Sequence, residues 1–135
     1  MNIVLMLHSI VRWILVLVAL IALVKFALEW SRKARVEKSD RVLMSAFSGM
    51  IDLQALLGII FLFWQGLGTA IGFPQFRIEH AVTMIIAVVI AHSPMAWKKN
   101  ETTAALRNNF LVVLAVLVVV FIGVAVLPGN RWLPQ

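Results

Sequence analysis

Three histidines are the residues of this chain best placed to do chemistry. His8 lies in the first of four hydrophobic runs; His80 and His92 lie near the two ends of the third, Phe76 to Trp97. Histidine is scarce and costly in hydrocarbon, so an imidazole inside such a run is a functional candidate by default. If successive runs alternate in direction, runs one and three start on the same side. At about 1.5 Å of rise per residue, His8 lies about two turns in and His80 about one, so the rings fall at nearly one level. With neighbouring axes about 8–10 Å apart, helices one and three sit on a diagonal roughly 13 Å long. A haem held by two axial imidazoles needs a span of about that size, and neutral imidazole is a common ligand for its iron. The spacing therefore offers His8 and His80 as axial ligands of haem iron, against the reading of each as an interfacial residue hydrogen-bonded to a loop.

Arg12 lies one turn deeper than His8 on the same face. A guanidinium there must pair or snorkel, reaching Glu79, a haem propionate or the outer interface. Gln54, Gly58, Phe61 and Gln65 form a stripe on run two, and Gln65 ends at the level of the histidines. His8, His80, Arg12, Gln65 and Arg77 are the expected cofactor-binding set. Behind the histidines, Leu15, Ala19 and Ala22 on one run and Thr83, Ala87 and Ala91 on the other recur at helical spacing. Such faces leave room for a flat macrocycle, and they are also what close helix packing looks like. Zinc or copper fits this pair poorly, because Glu79 is the one nearby acid and points about 100° away from His80.

His92 is rotated about 120° from His80 and has no histidine at its level. It reads as an interhelical or interfacial hydrogen-bonding residue ahead of Pro94, or as a ligand shared with another subunit. Asp52 lies near the middle of run two, with Ser45, Ser48 and Gly49 on its face. An ionised carboxylate there is expensive, so it is expected to be protonated, paired or against another chain. Its functional reading is a proton-carrying or quinone-contacting acid.

The elements that must position these residues follow from composition. The chain has 135 residues, 62% hydrophobic and 13% charged, with a mean hydropathy of +0.98. Soluble domains are nearer half apolar and a quarter charged. Backbone groups in hydrocarbon must be satisfied internally, so runs of this length are helices. The expected spans are about 3–28, 42–65, 76–97 and 104–127, in one all-α transmembrane domain covering 1–135. Short connections make this an up-down-up-down four-helix bundle. Run four, aliphatic apart from Phe110, Phe121 and Gly123, is assigned a packing role.

The loops after runs one and three hold Lys25, Arg32, Lys33, Arg35, Lys38, Arg41, Lys98, Lys99 and Arg107, against Arg77 and Arg131 on the other side. This asymmetry predicts cytoplasmic basic loops and both termini outside. Trp30 and Trp97 would anchor the inner interface, Trp64 and Trp132 the outer one. Met1 to Val11 lacks the basic region of a cleavable signal, and no small-residue cleavage site follows, as expected of a first helix inserted N-terminus out. The pI of 10.9 reflects the loops, which meet anionic lipid, and leaves no groove-sized surface for nucleic acid. The chain has no cysteine, which excludes disulfides, thiolate metal sites and covalent c-type haem. Phosphate-binding glycine loops and the nucleophile elbow are also missing.

Taken together, His8-Ser9-Ile10-Val11-Arg12-Trp13, Gln54 with Gly58, and Glu79-His80 with Met84 and then His92 give the chain its look. It resembles a group of small bacterial four-helix membrane proteins of the cytochrome b-like type. The likeness spans most of the chain in short motifs. It implies b-haem and electron transfer, carries His8 and His80 over as axial ligands, and leaves His92 undecided.

The expectation is therefore a multi-pass protein of the bacterial inner membrane. It would carry electrons on haem b near the outer face, as a subunit among other membrane subunits, with quinone as a candidate partner. The competing reading is a cofactor-free accessory subunit of a respiratory or photosynthetic complex, whose polar stripes are interhelical glue. A proton-coupled carrier built on Asp52 ranks last, because no run is broken as transporter helices are.

Overall fold

Hydrocarbon-length apolar runs become four α-helices in a computed structural model, which describes residues 3–129 and 132. Helix α1 is Ile3–Ser31, α2 is Lys38–Gly68, α3 is Gln75–His92 and α4 is Thr103–Ala125, with a short 3-10 turn, Ser93–Trp97, continuing α3. All four are long and apolar enough to cross a membrane, α3 when taken together with its 3-10 extension. The helices pack as a square in which α1 and α3 each contact α2 and α4. The α2–α3 side is the most thinly packed.

Small side chains let the backbones approach. Ala19 and Ala22 of α1 and Ala87 and Ala91 of α3 are fully buried, with Leu15, Phe26 and Phe47 filling the space between. The valines of α4 at 113 and 116 close the core. Leucine, isoleucine and valine cover the outward faces as well, for example Leu17, Ile21, Leu56 and Val89. A helix apolar all round suits a lipid surrounding.

Several helix boundaries differ from the sequence expectation, three of them for local reasons. Helix α2 begins at Lys38 rather than near Val42, because Asp40 caps it: the Glu37 N–H donates to the Asp40 carboxylate at 2.8 Å. Helix α3 stops at His92, since Pro94 has no N–H and the chain tightens into the 3-10 turn. Helix α1 continues through Glu29 to Ser31, so the stretch read as the start of a basic loop is helical. The α2–α3 turn needs Gly72 at a φ of 64°, and Phe73 folds back onto Gly66.

Lys25, expected to be a loop cation, instead lies inside α1. Its ammonium donates to Asp40 Oδ1 at 2.6 Å and to the Glu29 carboxylate. Asp40 is completely buried. One cation thus holds the ends of α1 and α2 together. The two basic loops are also tied to each other: Val36 N–H donates to Glu101 O at 3.0 Å, and Thr103 Oγ1 donates to Ala34 O at 2.7 Å. Arg41 pairs with Glu101 at 3.2 Å. The basic loops therefore share one end of the bundle. Arg131, counted for the opposite end, lies outside the described residues.

Removing one member of a buried ion cluster leaves an uncompensated charge. Asp40→Ala is expected to cost about 3–5 kcal/mol in equilibrium unfolding in mixed micelles. A loss under about 1 kcal/mol would mean the cluster behaves as a solvated surface pair.

Candidate functional site

The thin α2–α3 seam opens at the end away from the basic loops into a cavity of about 390 Å³. That volume falls in the roughly 300–1,000 Å³ range of small-molecule and cofactor sites. His8, Arg12, Gln65, Arg77 and His80 all line it, so one space gathers every residue of the expected cofactor-binding set. The whole α2 stripe of Gln54, Gly58, Phe61 and Gln65 faces it too.

The two imidazoles come from diagonal helices and meet with ring centroids 6.5 Å apart and planes at 77°. Gly58 makes this approach feasible for His8. A Cβ there would lie 3.2 Å from His8 Cε1, tighter than ordinary contact. Each ring is oriented by one hydrogen bond. His80 Nδ1–H donates to the Gly123 carbonyl at 2.6 Å, which fixes the tautomer and leaves Nε2 as the free lone pair. Gln54 Nε2 lies 3.2 Å from His8 Nε2 and donates to it. His8 Nδ1 and Gln54 Oε1 are buried without a partner. A half-turn of the Gln54 amide has His8 Nε2–H donating to Oε1 and leaves the lone pair on Nδ1.

The cavity is cationic. Arg12 is buried, its guanidinium lying 5.8 Å from the Trp13 ring centroid and 5.7 Å from that of Trp132. It does not pair with Glu79, whose carboxylate accepts from Gln75 at 2.7 Å. The expectation of an Arg12–Glu79 pair fails because Glu79 turns to its own helix face. Arg77 rests against Phe61 and Phe76 at 5.7 and 5.9 Å. Arg12 Nε and Arg77 Nη1 are buried with no hydrogen-bond partner. Among the described residues no carboxylate lines the cavity. Two aromatic-backed guanidiniums facing one space suit an anionic ligand.

Helix α4 does more than pack. Besides its carbonyl bond to His80, Gly123 lets α3 come close: a Cβ there would meet Met84 Cε and sit 3.1 Å from Thr83 Cγ2. A sequence reading has no signal for a backbone carbonyl as an imidazole acceptor, although the lone glycine in an aliphatic run marked the close approach. The small residues behind the histidines also serve differently than expected. Ala19 and Ala22 are sealed in the core, Ala91 faces a different cleft, and Ala87 alone of the small positions reaches the histidine cavity.

His92 and Asp52 are brought together elsewhere, on the outer face of the α2–α3 seam. Their side chains lie 2.8 Å apart and are 38% and 49% exposed. This gives Asp52 the partner it needed and makes His92 an interhelical hydrogen-bonding residue. Trp97 Nε1 donates to Asn109 at 2.8 Å, which ties the 3-10 turn to α4. Trp132 stacks on Phe121 at 5.8 Å. Among the described residues no group of three or more histidine, cysteine or acidic side chains could hold a bare metal ion. Compared with known proteins, the chain matches no family model, no curated protein and no solved structure.

Glycine contacts give a paired test. Gly123→Val should destabilise by about 1–3 kcal/mol through overpacking against Thr83 and Met84. Gly49, with nothing near its missing Cβ, should tolerate Ala and gain roughly 0.5–1 kcal/mol of helix stability. Equal responses in unfolding would contradict the close α3–α4 approach.

Proposed function

We propose that this chain is a b-type haem protein of the bacterial inner membrane, moving electrons near the outer face as a subunit among other membrane proteins. The observation that carries the reading is the meeting of two imidazoles at 6.5 Å inside a cavity that also holds two guanidiniums and, among the described residues, no carboxylate. His8 and His80 would hold the iron from two diagonal helices across that space.

His80 would offer Nε2, with its other nitrogen already donating to a backbone carbonyl as second-shell partners of metal ligands do. His8 would offer Nδ1 while Gln54 holds Nε2, or Nε2 if Gln54 gives way. Arg12 and Arg77 would neutralise the propionates, and Gln65 would hydrogen-bond at the cavity rim. The apolar walls, Leu15, Ile51 and Val120 among them, would keep water away and help set the potential. Bound there, haem supplies reversible one-electron chemistry. The chain's charge asymmetry supports both termini outside and the basic loops in the cytoplasm. On that orientation quinone in the bilayer is the proposed small-molecule partner.

One observation favours the accessory reading instead. Gln54 to His8 and His80 to Gly123 are complete interhelical bonds by themselves, of the kind that holds membrane helices together. A reduced-minus-oxidised visible spectrum of protein purified from haem-replete cells separates the two. Paired α and β bands at about one haem per chain are expected, lost in His8→Ala and in His80→Ala and kept in His92→Ala. A colourless wild-type protein overturns the proposal and leaves the interhelical-glue role.

A further inference from the structure

A second cleft, of about 430 Å³, opens at the opposite end of the bundle between the first turns of α2 and the α3–α4 connection. Its mouth carries Arg41, Lys98 and Lys99. Arg41 is partly neutralised by Glu101 at 3.2 Å. Lys98 and Lys99 are exposed and have no ion pair among the described residues. Ser45 and Ser48 line the cleft deeper, about 6 and 10 Å beyond Arg41 at helical rise. Met44, Ala91 and Trp97 make an apolar wall, and Met95, largely exposed, forms an apolar lip.

The order of these groups is the argument. Cations come at the end of the bundle, hydroxyls next, and hydrocarbon beside them. A glycerophospholipid presents the same order: phosphate, ester oxygens, acyl chain. A free phosphate would use the cations and leave the hydroxyls and apolar lip unused. A neutral lipid would leave two lysines uncompensated. Basic pockets between transmembrane helices are a recognised way of holding anionic head groups.

We propose that this cleft binds one anionic phospholipid from the surrounding leaflet. Its phosphate lies against Lys98, Lys99 and Arg41, its glycerol esters at the level of Ser45 and Ser48, and a chain runs up the α2–α3 seam. The site is independent of whatever occupies the histidine cavity.

Native mass spectrometry of the detergent-purified full chain tests it, using phosphatidylglycerol and phosphatidylcholine with identical acyl chains. The expected result is a several-fold preference for phosphatidylglycerol that survives millimolar inorganic phosphate. It should fall to near unity in the double variant Lys98→Gln/Lys99→Gln. It should persist in Lys33→Gln/Lys38→Gln, which removes the same charge from exposed positions outside the cleft. Equal binding of the two lipids would overturn the proposal. So would equal loss in both double variants, which would mean diffuse attraction, or displacement by phosphate, which would mean a free-anion site. Thermal transitions of the variants, unchanged at such exposed positions, guard against misfolding.

Discussion

Hydrocarbon offers no hydrogen bonds, and that constraint organises this molecule. Every polar group inside the four helices must find its partner within the protein or carry a cost of several kcal/mol. The chain answers by concentrating polarity in a few places. Lys25, Glu29 and Asp40 form an ion cluster at one end. His92 and Asp52 pair on the outer seam. His8, Gln54, His80 and Gly123 form two interhelical bonds around the cavity. Much of the remaining helix surface is aliphatic.

Shape in turn makes the cavity. Alanines on α1 and α3 and Gly123 on α4 draw three helices tightly together. The α2–α3 side is left as the thinnest, and that seam opens. Among the residues facing that opening are ones a packed core would reject: two imidazoles, two guanidiniums and two carboxamides. Four of their nitrogen and oxygen atoms remain buried without a hydrogen bond, on His8, Arg12, Gln54 and Arg77. Native interiors rarely leave such groups unsatisfied, and a missing ligand is one of the standing explanations. Clustered in one space, they suggest an anionic, nitrogen-seeking occupant more strongly than any of them does singly.

Much of this was legible in the sequence because membrane helices obey two simple rules, length and periodicity. Rise per residue was enough to place His8 and His80 at one level, and helical spacing enough to put Gln54, Gly58, Phe61 and Gln65 on one face. What was not legible depends on groups that carry no residue identity or on a rotamer choice. The Gly123 carbonyl is backbone, so its service to His80 leaves no sequence mark. Arg12 has three open directions in sequence, and only the one toward Glu79 is closed, by the bond of that carboxylate to Gln75. The Asp52–His92 pair joins positions 40 residues apart, on two faces that spacing alone does not bring into register. Lys25 was misplaced because a charge near a helix end reads as a loop, when a buried Asp40 can hold it inside.

The central claim is that the two imidazoles bracket one iron across the bundle. Electron paramagnetic resonance of the oxidised protein tests it most directly, because the signal depends on both ligands and on the angle between their planes. If His8 and His80 both hold the iron, the account expects a low-spin ferric signal, lost in His8→Ala and in His80→Ala. A high-spin ferric signal, or no ferric signal from protein made with ample haem, would contradict it.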